Sequence, residues 1–273
     1  MTSPSNPPAG DGRLPRMAVF DLDGTLLDSS YQLRDRTAAA LGAISEGGVI
    51  IVLATGRPVG GVVGLLDGHH GDFVVGSNGR ELYSYETGHH DVLDDFALDL
   101  ALAAGRAMRR RIDGLRLAVF TDDGVWADAG WSAIVPEPGP FGPVGDALLA
   151  TGRFALRVGA FHPDRRAETY LDEARAVLPE GVDATVSGLD SLDIVPAGSD
   201  KAVGVRRLAK QLGIGRKDVI AFGDNLNDHD LLRWAGRGVA MGNADAATLA
   251  VADEVTRTND EDGVAAVLEA LLA

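Results

Sequence analysis

A chain of 273 residues, 45% of them hydrophobic, is long enough for one large domain or two moderate ones and can bury a sizeable core. A formal net charge of −15 argues against nucleic acid or an anionic membrane as the main partner, because both require a basic footprint. The absence of cysteine excludes disulfides, thiolate metal sites and cysteine nucleophiles, and no apolar run is long enough to span a bilayer.

Residues 1–15 are rich in Pro, Gly and Ser and have no apolar segment. They read as a disordered leader, not a secretion signal, so a cytoplasmic location is expected. Residues 17–21 read as a strand and 33–44 as a helix. Residues 49–54 form a wholly apolar strand, which suits a buried parallel sheet, and 73–75 a further short strand. From about residue 85 the pattern turns to hairpins. The run Val119-Phe120-Thr121-Asp122-Asp123-Gly124 imitates an acidic strand end, but its adjacent acids would point to opposite faces of a strand. Asp123-Gly124 suits a tight hairpin, so the run reads as structural. Residues 136–140 (Pro-Glu-Pro-Gly-Pro) read as a turn. Residues 153–161 alternate like a half-exposed antiparallel strand, with Phe154, Leu156, Val158 and Ala160 on one face and Arg153, Ala155 and Arg157 on the other. Plain solvent exposure is the expectation for Arg153 and Arg157; an overhang on the crevice would instead let them bind a substrate anion. Arg109 to Arg111 read as a solvated helix end.

Lys201 opens a helix that runs to about Leu212. A strand over 219–222, a helix over about 228–235, a strand over 239–241 and a helix over 264–272 complete the chain. This βαβ alternation predicts an α/β fold: a Rossmann-like doubly wound parallel sheet from 16–84 and 196–273, interrupted by an α+β domain over 85–195. The histidines carry little chemistry. His69-His70 and His89-His90 fall in loop-like stretches, no helical His-x-x-x-His exists, and His229 reads as a solvated helix residue.

Polar residues cluster at the predicted strand tips, where open α/β sheets form their crevices. Asp21 and Asp23 follow the first strand, Thr55-Gly56-Arg57 the second, and Gly223-Asp224-Asn225-Leu226-Asn227-Asp228 a later one; Lys201 starts a helix. Two carboxylates this close repel when ionised, so a cation or a proton belongs between them. A turn with solvated acids, an acid/base pair and a metal site are all compatible with the first pair alone. An EF-hand is not, because the glycine after Asp21 comes too early and, counting from Asp224, Leu226 stands at the third position where an acid or amide is needed. Phosphate-monoester hydrolysis can use this inventory. An aspartate attacks phosphorus, a second carboxyl handles protons, a hydroxyl and a lysine hold phosphoryl oxygens, and oxygen ligands hold magnesium. The slowness of the uncatalysed reaction leaves room for acceleration approaching ~10²¹-fold, mostly from positioning and charge.

With DLDGTL, LATGR, a lysine after an IVP strand end, and GDNLND in that order, the chain resembles the haloacid dehalogenase superfamily. Within it the chain is similar to Cof-type phosphatases with a C2-type cap. Residues 239–244 and 258–264 are similar to the Cof-type ending, and the insert is where the resemblance is weakest. The resemblance implies an Mg2+-dependent phosphatase of small phosphorylated metabolites, sugar phosphates or similar, working through an aspartyl-phosphate under a closing cap. It implies Asp21 as nucleophile and magnesium ligand, and Asp23 as general acid/base that ligates through its backbone carbonyl. Asp224 is implied as a further ligand. Thr55, with the backbone at Leu22 and Gly56, would bind the phosphoryl group. Lys201 would neutralise it, Asn227 would contact phosphate or a metal-bound water, Asn78 would lie near the substrate, and Asp228 would hold Lys201 or the metal's waters. Arg80 and Leu231 depart from the family's usual alanine and methionine, and Arg80 is expected to alter what the pocket accepts. Two rivals remain: a phosphosugar mutase of the phosphomannomutase-like type, which needs a second phosphate patch in the cap, and a non-catalytic phosphometabolite-binding protein. Monomer and dimer are both compatible with the sequence.

Overall fold

The structure is a computed structural model that describes residues 13–64, 71–93, 96–121, 124–131, 144–151, 154–187 and 190–273. Residues 1–12 of the expected leader, His69-His70, Asp122-Asp123, the turn at 136–140 and Arg153 lie outside the described residues.

The larger sheet contains β1 (Met17–Phe20), β2 (Ile50–Ala54), β3 (Phe73–Gly76), β4 (Glu81–Ser84), β5 (His90–Val92), β11 (Val219–Gly223), β12 (Arg237–Ala240) and β13 (Glu254–Val255), in the order β13-β12-β11-β1-β2-β3-β4-β5. From β13 to β3 the strands are parallel; β4 and β5 add an antiparallel hairpin at one edge. Helices cover both faces, which is why the strands read as unbroken apolar runs. Ala18 and Phe20 of β1 join the core beside α1 (Asp35–Glu46) and α7 (Gly263–Leu272). Met17 and Val19 join the opposite core, beside α4 (Lys201–Gln211) and α5 (His229–Trp234). Strand alternation therefore aims the next odd residue, Asp21, at the α4 side.

The smaller sheet contains β6 (Arg116–Thr121), β7 (Gly124–Ala127), β8 (Ala155–Phe161), β9 (Val182–Ser187) and β10 (Ser191–Pro196), in the order β7-β6-β8-β10-β9, and its pairings are antiparallel. The helices α2 (Leu98–Arg111) and α3 (Leu171–Arg175) pack on it around Leu102, Met108, Val158, Ile194 and Tyr170. Between β12 and β13 lies the short helix α6 (Ala246–Leu249). No helix among the described residues is long and apolar enough to cross a membrane.

Several expectations change. Leu14, within the expected leader, packs against the core beside α1. The boundary expected after residue 84 cuts a hairpin, because β5 pairs with β4 in the larger sheet and the chain leaves that sheet only after Val92. Strand β8 is not half exposed: it lies between β6 and β10, and six of its seven residues are buried. His229 is buried, with Nε2 2.7 Å from Thr248 Oγ1, because α6 folds back over the start of α5. Arg109 is only half exposed and pairs with Asp128, while Arg110 and Arg111 are solvated as expected. On either side of Asp122-Asp123, β6 and β7 pair antiparallel, with Thr121 opposite Gly124.

Candidate active site

Register brings the site together. Phe20 of β1 pairs with Leu53 of β2 on one side and with Phe222 of β11 on the other. The residues just beyond these partners, Asp21, Thr55 and Asp224, therefore emerge at one carboxyl-terminal edge of the sheet.

Asp21 and Lys201 are almost wholly buried. The lysine Nζ donates to Asp21 Oδ1 at 2.6 Å and to Asp228 Oδ1 at 2.8 Å. Asp228 Oδ2 accepts the amides of Asp224 and Asn225, both at 3.1 Å, so each oxygen of Asp228 is engaged and the loop after β11 is braced from within. Asp224 Oδ1 accepts from Thr25 Oγ1 at 2.9 Å. Gly24 has φ +81°, and a side chain there would run into the Asp224 carboxylate, so close approach of the two loops demands glycine.

Burial pushes the Asp21 carboxyl well up; Lys201 opposes that shift and Asp228 and Asp224 add to it. Burial, reinforced by Asp228, raises Asp224 to about 6. Burial works against the charge of Lys201, but Asp21 and Asp228 outweigh it and hold the ammonium above its ordinary value. Three carboxylates against one ammonium leave a deficit of positive charge. Oxygens of Asp21, Asp224 and Asp228 lie within 4.8 Å of one another. An all-carboxylate donor set of this kind suits a hard divalent cation. Asp21 and Asp224 are better placed as ligands than Asp228, whose oxygens already serve Lys201 and two amides.

The remaining residues line a crevice of about 470 Å3, its open mouth included, between the two sheets. Thr55 Oγ1 accepts the Arg57 amide at 3.1 Å, which aims the hydroxyl from a fixed turn. Asp23 faces the crevice and is gripped by the Arg57 guanidinium through two bonds, 2.9 and 2.5 Å long. Gly56 and Asn227 line the crevice, and Asn227 Oδ1 is buried with no protein partner among the described residues. Leu22 has its side chain in the core and its carbonyl bonded to the amides of Thr25 and Leu27, so only its backbone could serve a ligand. Asn78 lies behind Gly56 in a left-handed conformation (φ 52°), and Ser77 beside it (φ 49°) bonds to Glu81.

Arg157 corrects the expectation of solvent exposure: it is 6% exposed, lines the crevice and pairs with Asp193. Arg80 departs from expectation in the other direction. Its guanidinium bonds the Leu156 carbonyl and lies 5.8 Å from the Phe96 ring, so it ties the two sheets together behind the crevice instead of lining it. Sequence reasoning gave no role to Arg57, Asp193, Ser187 or Asn225, all of which line the crevice. Arg57 and Asn225 stood inside quoted motifs; Asp193 carried one signal, a charged residue between the apolar Leu192 and Ile194 of a strand.

Residues 18–268 match the sequence profile of the haloacid dehalogenase-like hydrolases. YxeH of Bacillus subtilis (strain 168), whose name gives phosphatase as a provisional function, is 31% identical over 94% of this chain and 99% of its own. An HMP-PP phosphatase of Yersinia enterocolitica is 30% identical over 84% of each chain. A solved structure of a phosphatase of that superfamily from Bacteroides thetaiotaomicron superposes with a TM-score of 0.80 at 26% identity, covering 98% of this chain and 99% of the other.

Proposed function

The chain belongs to the haloacid dehalogenase-like hydrolases and is a phosphatase of that family, and on that premise we propose that it hydrolyses phosphate monoesters of small metabolites with Mg2+ and an aspartyl-phosphate intermediate. The observation that carries this reading is the convergence of Asp21, Thr55, Lys201, Asp224 and Asp228 from separate segments at one sheet edge.

In this mechanism Lys201 fixes one oxygen of Asp21, leaving the other to attack phosphorus. The bond from phosphorus to the ester oxygen breaks as the new bond to Asp21 forms. Asp23 supplies the proton that the leaving alkoxide takes. Asp23, now a carboxylate, then removes a proton from water, whose oxygen displaces Asp21 from phosphorus and frees phosphate. Thr55 and the amides near Leu22 and Gly56 hold phosphoryl oxygens, and Asn227 offers a further contact. The carboxylates of Asp21 and Asp224, with the backbone carbonyl of Asp23, would hold Mg2+. The bound ion would draw charge from the phosphoryl oxygens and screen the carboxylates from an anionic substrate. Arg57 positions Asp23, and Asp228 positions Lys201.

The test is phosphate release from a panel of phosphorylated metabolites with Mg2+ and with EDTA. Magnesium-dependent release supports the reading, and no release from any ester under either condition overturns it.

A further inference from the structure

Behind the loop that carries Thr55 lies a carboxylate to which the mechanism gives no part. Glu81 opens β4, is 1% exposed and does not line the crevice. Its Oε2 accepts from the Ser77 hydroxyl and from the Val59 amide, the latter at 3.3 Å, and its Oε1 lies 2.9 Å from His90 Nε2 on β5. An ionised carboxylate offers acceptors alone, which suits a hydroxyl, an amide and an imidazole N–H. One side chain thus bridges three segments: the turn after β3, the loop after β2 and the edge strand β5.

The turn after β3 needs that support. Ser77 and Asn78 are consecutive residues with φ of 49° and 52°. Left-handed backbone disfavours any residue with a Cβ, and asparagine tolerates it better than serine does. Such a conformation persists only where the surroundings over-determine it. Glu81 bonds the serine, the less tolerant of the two. The turn then fixes the loop after β2. The Asn78 amide donates to the Thr55 carbonyl at 3.0 Å, and the Ser77 amide to the Arg57 carbonyl at 2.9 Å. Gly76 lets the two segments close, since a side chain there would press to 3.1 Å on the Arg57 carbonyl and the Val59 amide. The loop is therefore held at its start by Asn78, in its middle by Ser77 and at its end by Glu81. It carries Thr55, Gly56 and the Arg57 that grips Asp23. The carboxylates of Asp21 and Asp224 take their bonds elsewhere, from Lys201 and Thr25.

We propose that Glu81 is a positioning residue for phosphoryl binding. By pinning the left-handed Ser77–Asn78 turn and the Val59 amide, it holds Thr55, Gly56 and Arg57 at the spacing the phosphoryl group requires, without touching substrate or metal. The inference rests on the phosphatase reading and adds to it a residue outside the crevice.

The experiment takes wild type, Glu81→Met, Glu81→Gln and Ser77→Ala at a temperature well below every Tm. It measures kcat for 4-nitrophenyl phosphate with Mg2+, the inhibition constant of inorganic phosphate, and Mg2+ affinity by calorimetry without phosphate. A group misplaced by ~1 Å costs up to ~10²-fold, so Glu81→Met is expected to weaken phosphate by ~10-fold or more and to lower kcat, with Mg2+ affinity within ~2-fold of wild type. In Glu81→Gln the amide oxygen still accepts from Ser77 and Val59, and most of the loss is expected to return. Ser77→Ala removes a hydroxyl that lies outside the crevice and is expected to weaken phosphate in the same direction, by ~3-fold or more. A merely structural role would lower the Tm of Glu81→Met and leave the phosphate constant of the folded enzyme unchanged. That outcome, equal losses of phosphate and Mg2+ affinity, or a Glu81→Gln enzyme as impaired as Glu81→Met overturns the proposal. If Glu81→Met does not fold, wild-type phosphate affinity in Ser77→Ala overturns it alone. Wild-type turnover with unmoved variants sinks this inference and spares the phosphatase reading; no release from any ester by wild type overturns that reading and the inference with it.

Discussion

Lys201 Nζ and Asp21 Oδ1 lie 2.6 Å apart although 180 positions separate the two residues. The ammonium is wholly buried and has a second carboxylate, Asp228, at 2.8 Å. Removing one partner from a buried ion pair leaves an uncompensated charge and costs about 3–5 kcal/mol. Lys201→Met, which leaves Asp21 facing Asp228 without a cation between them, should therefore both lose turnover and lower the urea midpoint in metal-free buffer. Addition of Mg2+ should restore part of the stability and none of the activity. An unchanged midpoint would mean that the pairing does not contribute to the fold.

Asp21→Asn keeps the shape of the side chain and its bond to Lys201 but not the nucleophile. It should fold with wild-type circular dichroism and release no phosphate. Retained turnover would remove Asp21 as the attacking group.

Asp23 is held by Arg57 and carries protons in both half-reactions of the proposed mechanism. General acid–base catalysis contributes roughly 10²–10⁴-fold. With 4-nitrophenyl phosphate the leaving group needs no proton, so in Asp23→Asn only the second half-reaction should fail. Rapid mixing should then show a burst of nitrophenol close to one per enzyme, followed by slow turnover. Absence of a burst, with both steps slowed alike, would contradict the division of labour between Asp21 and Asp23.

The Asp224 carboxyl titrates at about 6 because burial and Asp228 disfavour its charge. It must be ionised to ligate a cation, so a proton and Mg2+ compete for it. Below pH 6 the proton wins at Asp224; above it that carboxylate is free to ligate. Because Asp21, the other carboxylate ligand, is raised as well, Mg2+ affinity, measured by calorimetry without substrate, should rise by at least about tenfold from pH 5 to pH 7. Equal affinity at the two pH values would place the ion elsewhere.

Gly204 of α4 faces the Ser77–Gly79 turn so closely that an added Cβ would meet Val75 Cγ1 at 2.6 Å and the Gly79 carbonyl at 2.7 Å. In a free helix, alanine would gain about 1 kcal/mol over glycine. Here a collision with fixed backbone, costing about 1–3 kcal/mol, should win. Gly204→Ala is expected to melt lower than wild type. Because α4 begins at Lys201, the same shift should displace the ammonium and reduce kcat. A higher Tm would show that the contact can relax.

Much of this was legible in the sequence. The apolar run 49–54 announced a buried parallel strand, since helices on both faces leave no polar positions. The polar residues at the strand ends, Asp21 and Asp23 after the first strand and Thr55 after the second, announced the crevice. Two features were not legible. His229 and Arg157 look like solvated residues in one dimension, because a charged or polar side chain in a helix or an alternating strand is usually exposed. Their burial depends on partners, Thr248 and Asp193, supplied by segments whose packing no local pattern reports. The boundary expected after residue 84 splits the edge hairpin β4–β5 for the same reason: hairpin character is local, but sheet membership is decided by which neighbour a strand pairs with.

What the order of residues determined by itself was the inventory of candidate groups, Asp21, Asp23, Thr55, Lys201 and Asp224, and the strand periodicity that leads up to Asp21. Strand periodicity and motif spacing are local properties, so they survive in one dimension. What only the tertiary structure decided was how those groups are compensated and roofed: Arg57 gripping Asp23, Asp228 bracing Lys201, and Arg157 paired with Asp193 over Gly56. Charge compensation acts through space over a few ångströms, between segments far apart along the chain, and so it exists only once the two sheets have packed together.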